Sequence, residues 1–366
     1  MTRLTRRLIF YALLMVFVLA VPATILYSSG YFWDWKNKQL VTTGAFYIKS
    51  YPKGAAVLIN GELKNNTPAF ITQLPPGSYQ IQIQKDGFYP WGKKLDIQSQ
   101  AVTEARNIFL VTQNPQITFV SANATSTHGY FLTNEQKIAN EQASTTAALI
   151  LKDTASWTVF ENNIYFLQKS NLILYKTDLA GASKEQISFQ PLPGFNPTAS
   201  TTPQKIYRIK KSKEHTAILE SDGRLYLLDQ ETKIFQLLAE EISGADFSPD
   251  NKKLLYWTEH EIWVLWLKEI LIQPIKKAGD KELINRYSDK IIQAIWFPEN
   301  NEYIFFVVRQ NDNIDKIKIT ELDGRDLRNT YDIFSNKNLE IYYSGNEKLL
   351  YLNIGKKLYS LDLIEG

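Results

Sequence analysis

Phe88, Tyr89 and Trp91 lie within four positions of one another in a stretch patterned for β-strands. Rings so closely spaced suit stacking on the C–H faces of sugars, which makes them a candidate carbohydrate platform, with core filling as the alternative role. A second aromatic group comprises Trp257, Trp263, Trp266 and Trp296. Such rings usually fill the space between sheets. In Ile262-Trp263-Val264-Leu265-Trp266, however, the two tryptophans are an odd number of positions apart, so on a strand they face opposite ways. If Trp266 reaches a surface, it becomes the candidate ligand or partner contact.

Other residue types offer less chemistry. His128, His215 and His260 are the only histidines and fall in predicted turns without metal-ligand spacing. Asp312, Asn313 and Asp315 bring oxygen ligands together but lack the twelve-residue calcium-loop pattern with its central Gly and final Glu, so they read as a solvated loop. No phosphate-binding glycine loop, nucleophile elbow or catalytic triad pattern is present. The chain has no cysteine, which excludes disulfides, thiolate metal sites and cysteine nucleophiles. The reading is therefore of no catalytic residue, no metal and no cofactor.

These candidates are positioned relative to a membrane by the first thirty-five residues. Residues 8–27 are uncharged and mostly apolar, behind Arg3, Arg6 and Arg7. Twenty residues of helix reach about 30 Å, the thickness of a bilayer's hydrocarbon core. Arginines hold the short tail, 1–7, on the cytoplasmic side, and Trp33 and Trp35 suit the headgroup layer at the far end. The expected partner of 8–27 is thus the lipid bilayer, in a single-pass plasma-membrane protein with its bulk outside. A cleaved signal peptide is the rival reading, but its apolar core is usually shorter, about 7–15 residues.

Charge agrees with that division. There are 41 Lys plus Arg and 38 Asp plus Glu, and the first seven residues hold three arginines and no acid, which leaves 38 of each sign beyond them. A balanced exterior lacks the basic surface that nucleic acid requires, so nucleic acid is not an expected partner.

After a juxtamembrane linker, 28–43, residues 44–111 alternate apolar and polar at period two, as in AFYIKS, AVLING and YQIQIQ. Turn chemistry separates the runs at Pro52-Lys53-Gly54, Asn60-Gly61, Pro75-Pro76-Gly77 and Lys85-Asp86-Gly87. About six short antiparallel strands in a sandwich-like module are expected. This stretch resembles the PEGA domain. The resemblance rests on Pro52-Lys53-Gly54-Ala55, with Lys53 where the naming motif has Glu, and on Val57-x-Ile59-Asn60-Gly61, Thr67-Pro68, Leu74-Pro75-Pro76-Gly77-x-Tyr79 and Gly87-Phe88 before Trp91. It implies a surface-exposed accessory or binding module and no catalytic residues.

From 115 to 366 a β unit repeats: 156–181, 207–232, 244–267, 293–324 and 339–363. The third strand of each closes near Asp178, Asp229, Trp266, Asp323 and Asp362, a mean spacing of 46 residues, which is 184 residues over four steps. A small sheet cannot cover both of its faces, so such units stack radially. An all-β chain ending in a β-propeller of about six blades is expected, with five and seven also compatible. Ser248-Pro249-Asp250 is similar to the turn of periplasmic and surface propellers. Because the last unit stops after its third strand, QITFVS (116–121) is the expected donor of the missing outer strand. Ser/Thr/Pro-rich stretches at 121–127, 143–148 and 191–204 read as long surface loops.

The functional expectation is a membrane-anchored scaffold of the prokaryotic envelope that binds an envelope protein or glycan. A propeller-type polysaccharide hydrolase or lyase is the competing class and a passive spacer the third. Carboxylates clustered around the propeller axis would favour the enzyme, and an aromatic surface without them the binder.

Overall fold

The computed structural model describes residues 3–34, 38–122, 153–195, 205–344 and 347–363. Trp35, His128 and most of the three Ser/Thr/Pro stretches lie outside the described residues. The chain divides into two units, Met1–Gln113 with Arg325–Asn329, and Asn114–Gly324 with Thr330–Gly366.

The first unit begins with helix α1, Arg3–Ser28, of which Thr5–Ser28 is long and apolar enough to cross a membrane. Its apolar side chains point outward all round, with Leu8, Leu13, Phe17 and Ile25 all exposed. A helix apolar on every side finds no partner in water, which is the character of a membrane anchor or a signal sequence. Pro22 removes one backbone donor within it, a loss membrane helices tolerate. A hairpin of β1 (Tyr31–Asp34) and β2 (Gln39–Thr42) follows and carries Trp33, which is exposed.

Seven further strands build the small module: β3 (Gly44–Tyr51), β4 (Ala56–Ile59), β5 (Glu62–Asn66), β6 (Ala69–Leu74), β7 (Gly77–Gln84), β8 (Trp91–Ile97) and β9 (Val102–Phe109). They form two sheets, ordered β6-β3-β9 and β5-β4-β7-β8. The alternation sends Phe46, Ile48, Val57, Ile59, Ile81, Ile83, Leu95 and Ile97 into one core. Asn60 and Gly61 both have positive φ, 51° and 84°, the geometry that makes Asn-Gly a tight hairpin turn between β4 and β5. All pairings are antiparallel except β3 with β9. Those are the first and last strands of the module, and the whole intervening chain serves as the long crossover that parallel pairing needs.

The second unit consists, among the described residues, of five four-stranded sheets. Strand β10 (Gln116–Ala122) comes first. Four sheets then follow in chain order. They are β11 to β14 (Thr154–Phe160, Asn163–Gln168, Leu174–Asp178, Glu185–Gln186) and β15 to β18 (Tyr207–Lys211, Thr216–Glu220, Leu225–Leu228, Phe235–Ala239). Next come β19 to β22 (Gly244–Phe247, Lys253–Trp257, Glu261–Trp266, Lys281–Arg286) and β23 to β26 (Lys290–Trp296, Tyr303–Arg309, Asp315–Glu321, Thr330–Asn336). The last three strands are β27 (Leu339–Ser344), β28 (Leu349–Ile354) and β29 (Lys357–Asp362). The first strands of successive sheets, β11, β15, β19, β23 and β27, lie beside one another, which is the radial arrangement of propeller blades.

The last blade is completed by β10, which pairs antiparallel with β29 from Gln116 opposite Asp362 to Ala122 opposite Lys357. Phe119 and Tyr359 meet edge to face across that pair, 5.6 Å apart. The chain therefore joins the two ends of the propeller in one sheet and removes a bare strand edge. Between blades, the packing is apolar. Leu255, Ile262, Val264 and Trp266 of one blade meet Ala294, Trp296, Ile304 and Phe306 of the next.

Candidate functional site

Each first strand buries one set of side chains between blades and turns the alternate set elsewhere. Lys210, Asp246, Gln293, Ile295, Glu340 and Tyr342 are such alternate residues on β15, β19, β23 and β27. Together they line a cleft of about 440 Å³, walled also by Phe247, Trp257, Trp296 and Tyr343, with Pro249 and Pro298 among its lining residues. The volume lies within the range of small-ligand sites.

The walls are fixed by side-chain to backbone bonds that run between blades. Gln293 Nε2 donates to Ile341 O at 2.8 Å, and its Oε1 accepts from Ile341 N at 3.0 Å, tying β23 to β27. Trp296 Nε1 donates to Asp246 O at 3.0 Å, tying β23 to β19. Trp257 lies directly over Gly244, where an added Cβ would come 2.1 Å from the indole ring, so only glycine admits that packing. The Trp257 side chain is 9% exposed, and its buried Nε1 has no hydrogen-bond partner among the described residues. A donor of this kind is costly to leave unmatched.

The charged groups are few and already engaged. Lys210 Nζ lies 3.5 Å from Asp246 Oδ1, and both side chains remain largely open to solvent. Glu340 Oε2 accepts from Asn353 Nδ2 at 3.1 Å. Burial raises the Tyr342 phenol above its ordinary value, so at neutral pH it stays a protonated donor. No histidine, serine or threonine is among the lining residues. Aromatic faces with scattered hydrogen-bonding groups can hold a ligand, but they lack a base positioned on a nucleophile. Among the described residues no group of three or more His, Asp or Glu is placed to hold a metal ion.

The aromatic residues singled out in the sequence take other places. Phe88 and Trp91 are buried in the core of the small module, 5% and 1% exposed, so neither offers a ring face to a sugar. Tyr89 is only half-buried, its N–H donating to Val111 O at 2.8 Å. Trp266 is likewise buried, 2% exposed, and packs with the next blade. Trp263, on the opposite face, donates from Nε1 to Glu261 Oε2 at 2.8 Å and stacks on Tyr256. Asp315 is fully buried rather than solvated, held by Arg309 at 2.7 Å and by the N–H of Leu339 at 2.9 Å. The outward rings of the small module are instead Tyr47, Tyr51 and Phe70, with the Arg106 guanidinium 4.9 Å from the Tyr47 centroid. Period two contains that signal, because Tyr47, Lys49 and Tyr51 alternate with the inward Phe46, Ile48 and Ser50.

The fold thus defines an all-β chain with an N-terminal apolar helix, a two-sheet module and a propeller. Residues 43–110 match the PEGA domain family. No curated protein matches the chain. Solved structures similar to it include YCF48 from Cyanidioschyzon merolae, 9% identical, covering 85% of this chain and 96% of that one, with a TM-score of 0.40. The β-propeller domain of Cps50 (Swd1) from Myceliophteria thermophila is 7% identical over 55% of this chain and 62% of its own, with a TM-score of 0.38. Hsv2 from Kluyveromyces lactis is 9% identical over 89% and 74%, also at 0.38. These superpositions are loose, and the propeller rests on the sheets themselves.

Proposed function

We propose that the chain is a single-pass plasma-membrane protein of a prokaryotic envelope whose extracytoplasmic propeller binds a glycan or protein segment in the cleft. One observation carries this reading: the cleft is walled by aromatic rings, and its two carboxylates are already partnered and not clustered in a dry site. The half-buried Tyr342 ring can accept the C–H surface of a sugar or an apolar peptide side chain, its hydroxyl and Lys210 supply directional bonds, and the nearly buried Phe247, Trp257, Trp296 and Tyr343 form the apolar floor beneath them. The PEGA module fits the role of an accessory spacer or second contact near the bilayer.

Co-sedimentation of the detergent-solubilised full chain with isolated cell-wall material tests this, using wall before and after removal of its proteins. Retention by stripped wall that is lost in Tyr342→Ala supports a glycan ligand, and retention lost with the wall proteins supports a protein ligand. Release of soluble sugar from the wall would sink the binding reading in favour of a hydrolase or lyase. Equal retention of Tyr342→Ala and the parent chain would remove the cleft as its site.

A further inference from the structure

Between β21 and β22 the chain leaves its blade and returns through residues 267–280. Ile270 N donates to Lys276 O at 2.8 Å and Lys276 N to Ile270 O at 3.0 Å, so a two-bond bridge closes a five-residue tip, Leu271-Ile272-Gln273-Pro274-Ile275. The base of this finger is built into the blade. Ile270 packs on the interblade core, Lys276 pairs with Glu282 and lies 4.7 Å over the ring of the buried Trp266, and Gly279 N donates to Trp266 O at 2.7 Å. Trp266 therefore carries the finger without reaching a surface itself.

The tip has the opposite character. Leu271, Ile272 and Ile275 are 76%, 48% and 61% exposed. Three large aliphatic side chains held in water by a braced five-residue loop form a concentrated apolar point. Four lysines surround it: Lys268 pairs with Glu214 at 2.8 Å and Lys276 with Glu282, while Lys277 and Lys281 stand beside Glu269 and Asp280. Of these, Lys277 and Lys281 are exposed.

We propose that this finger dips into an anionic lipid bilayer surface, its aliphatic tip in the acyl boundary and its lysines among the headgroups. An apolar tip above a charged collar, in which the exposed Lys277 and Lys281 can meet headgroup phosphates, complements the layering of such a surface. The same chain carries a helix long and apolar enough to span a bilayer. Tethering by that helix makes lipid contact effectively intramolecular, so a tip of three side chains suffices where a free protein would need a larger surface.

The absence of cysteine allows a clean test. An environment-sensitive dye is placed on Ile272→Cys in the full chain, reconstituted into vesicles of phosphatidylcholine alone or with phosphatidylserine. A Leu14→Cys label in α1 reports insertion of the helix. The proposal expects a blue-shifted emission from position 272 that is quenched by lipid-borne quencher, more strongly in the anionic vesicles and less so in Lys277→Glu/Lys281→Glu. A water-like, unquenched dye at 272 while the dye at 14 is quenched overturns it. Shielding of 272 only after a second protein is added overturns it in favour of protein docking, and an unquenched dye at 14 would locate the failure in the anchor.

Discussion

The PEGA module and the propeller are written in the same period-two pattern, yet they treat their aromatic residues differently. In the module, two sheets face each other and leave no gap, so Phe88 and Trp91 disappear into one core. In the propeller, blades pack side against side, and the alternate face of each first strand is left to line a cleft, where Tyr342 stays half-buried above the interblade rings of Trp257 and Trp296. A sandwich closes by stacking, whereas a radial array closes around a hollow. The difference teaches that an aromatic residue's role follows from the closure of the architecture more than from the local spacing of rings.

The largest expected effect separates the two regions completely. Deleting residues 339–366 removes β27, β28 and β29 and strands β10 without its partner, so the propeller should lose its cooperative melting transition while the PEGA module keeps its own. A calorimetric trace that retains both transitions would show that this shared sheet is dispensable. Next in size, Trp91→Ala empties a fully buried site and should cost the module about 3–5 kcal/mol, read from its denaturant midpoint. Ligand retention by the propeller should survive that change, and its loss would tie the two regions together.

The smallest effect is a pH dependence confined to the propeller. Lys211 is packed against Phe160 and Tyr165, its Nζ 5.3 and 5.1 Å from the ring centroids, and burial pushes its ammonium down to about 8. Above that pH the native lysine has released a proton that the unfolded chain still binds, so stability rises with pH from about 8 towards its ordinary value of 10.5. Tyr256 and Tyr287, pushed up to about 12 by burial, act in the opposite direction once unfolded tyrosines ionise near 10. The window for the Lys211 effect is therefore between these limits. Lys211→Met should flatten the rise in denaturant midpoint there, and an unchanged slope would assign it to other groups.

Much of the fold was legible because it depends on local rules. The repeat predicts the blades, the missing fourth strand of the last unit predicts the pairing of β10 with β29, and Asn60-Gly61 predicts a turn with two positive φ values. The cleft was not legible, because Lys210, Asp246, Gln293 and Glu340 come from four strands far apart in sequence. Buried charges were hidden for the same reason. Lys253 donates to Asn301 O and Glu302 Oε1 of the following blade, and Lys93, within the first unit, donates to the carbonyls of Arg325 and Leu327. Nothing within a few residues of either lysine announces such a partner.

The pairing of β10 with β29 also imposes an order of events on biosynthesis. Ala122 and Lys357 face each other across that sheet but are 235 residues apart, 357 minus 122. At translation speeds of about 5–20 residues per second, β10 emerges on the order of 10–50 s before its partner exists. Over that interval the earliest-made strand of the propeller is an unpaired edge, so the newborn chain depends on protection that the finished ring no longer requires.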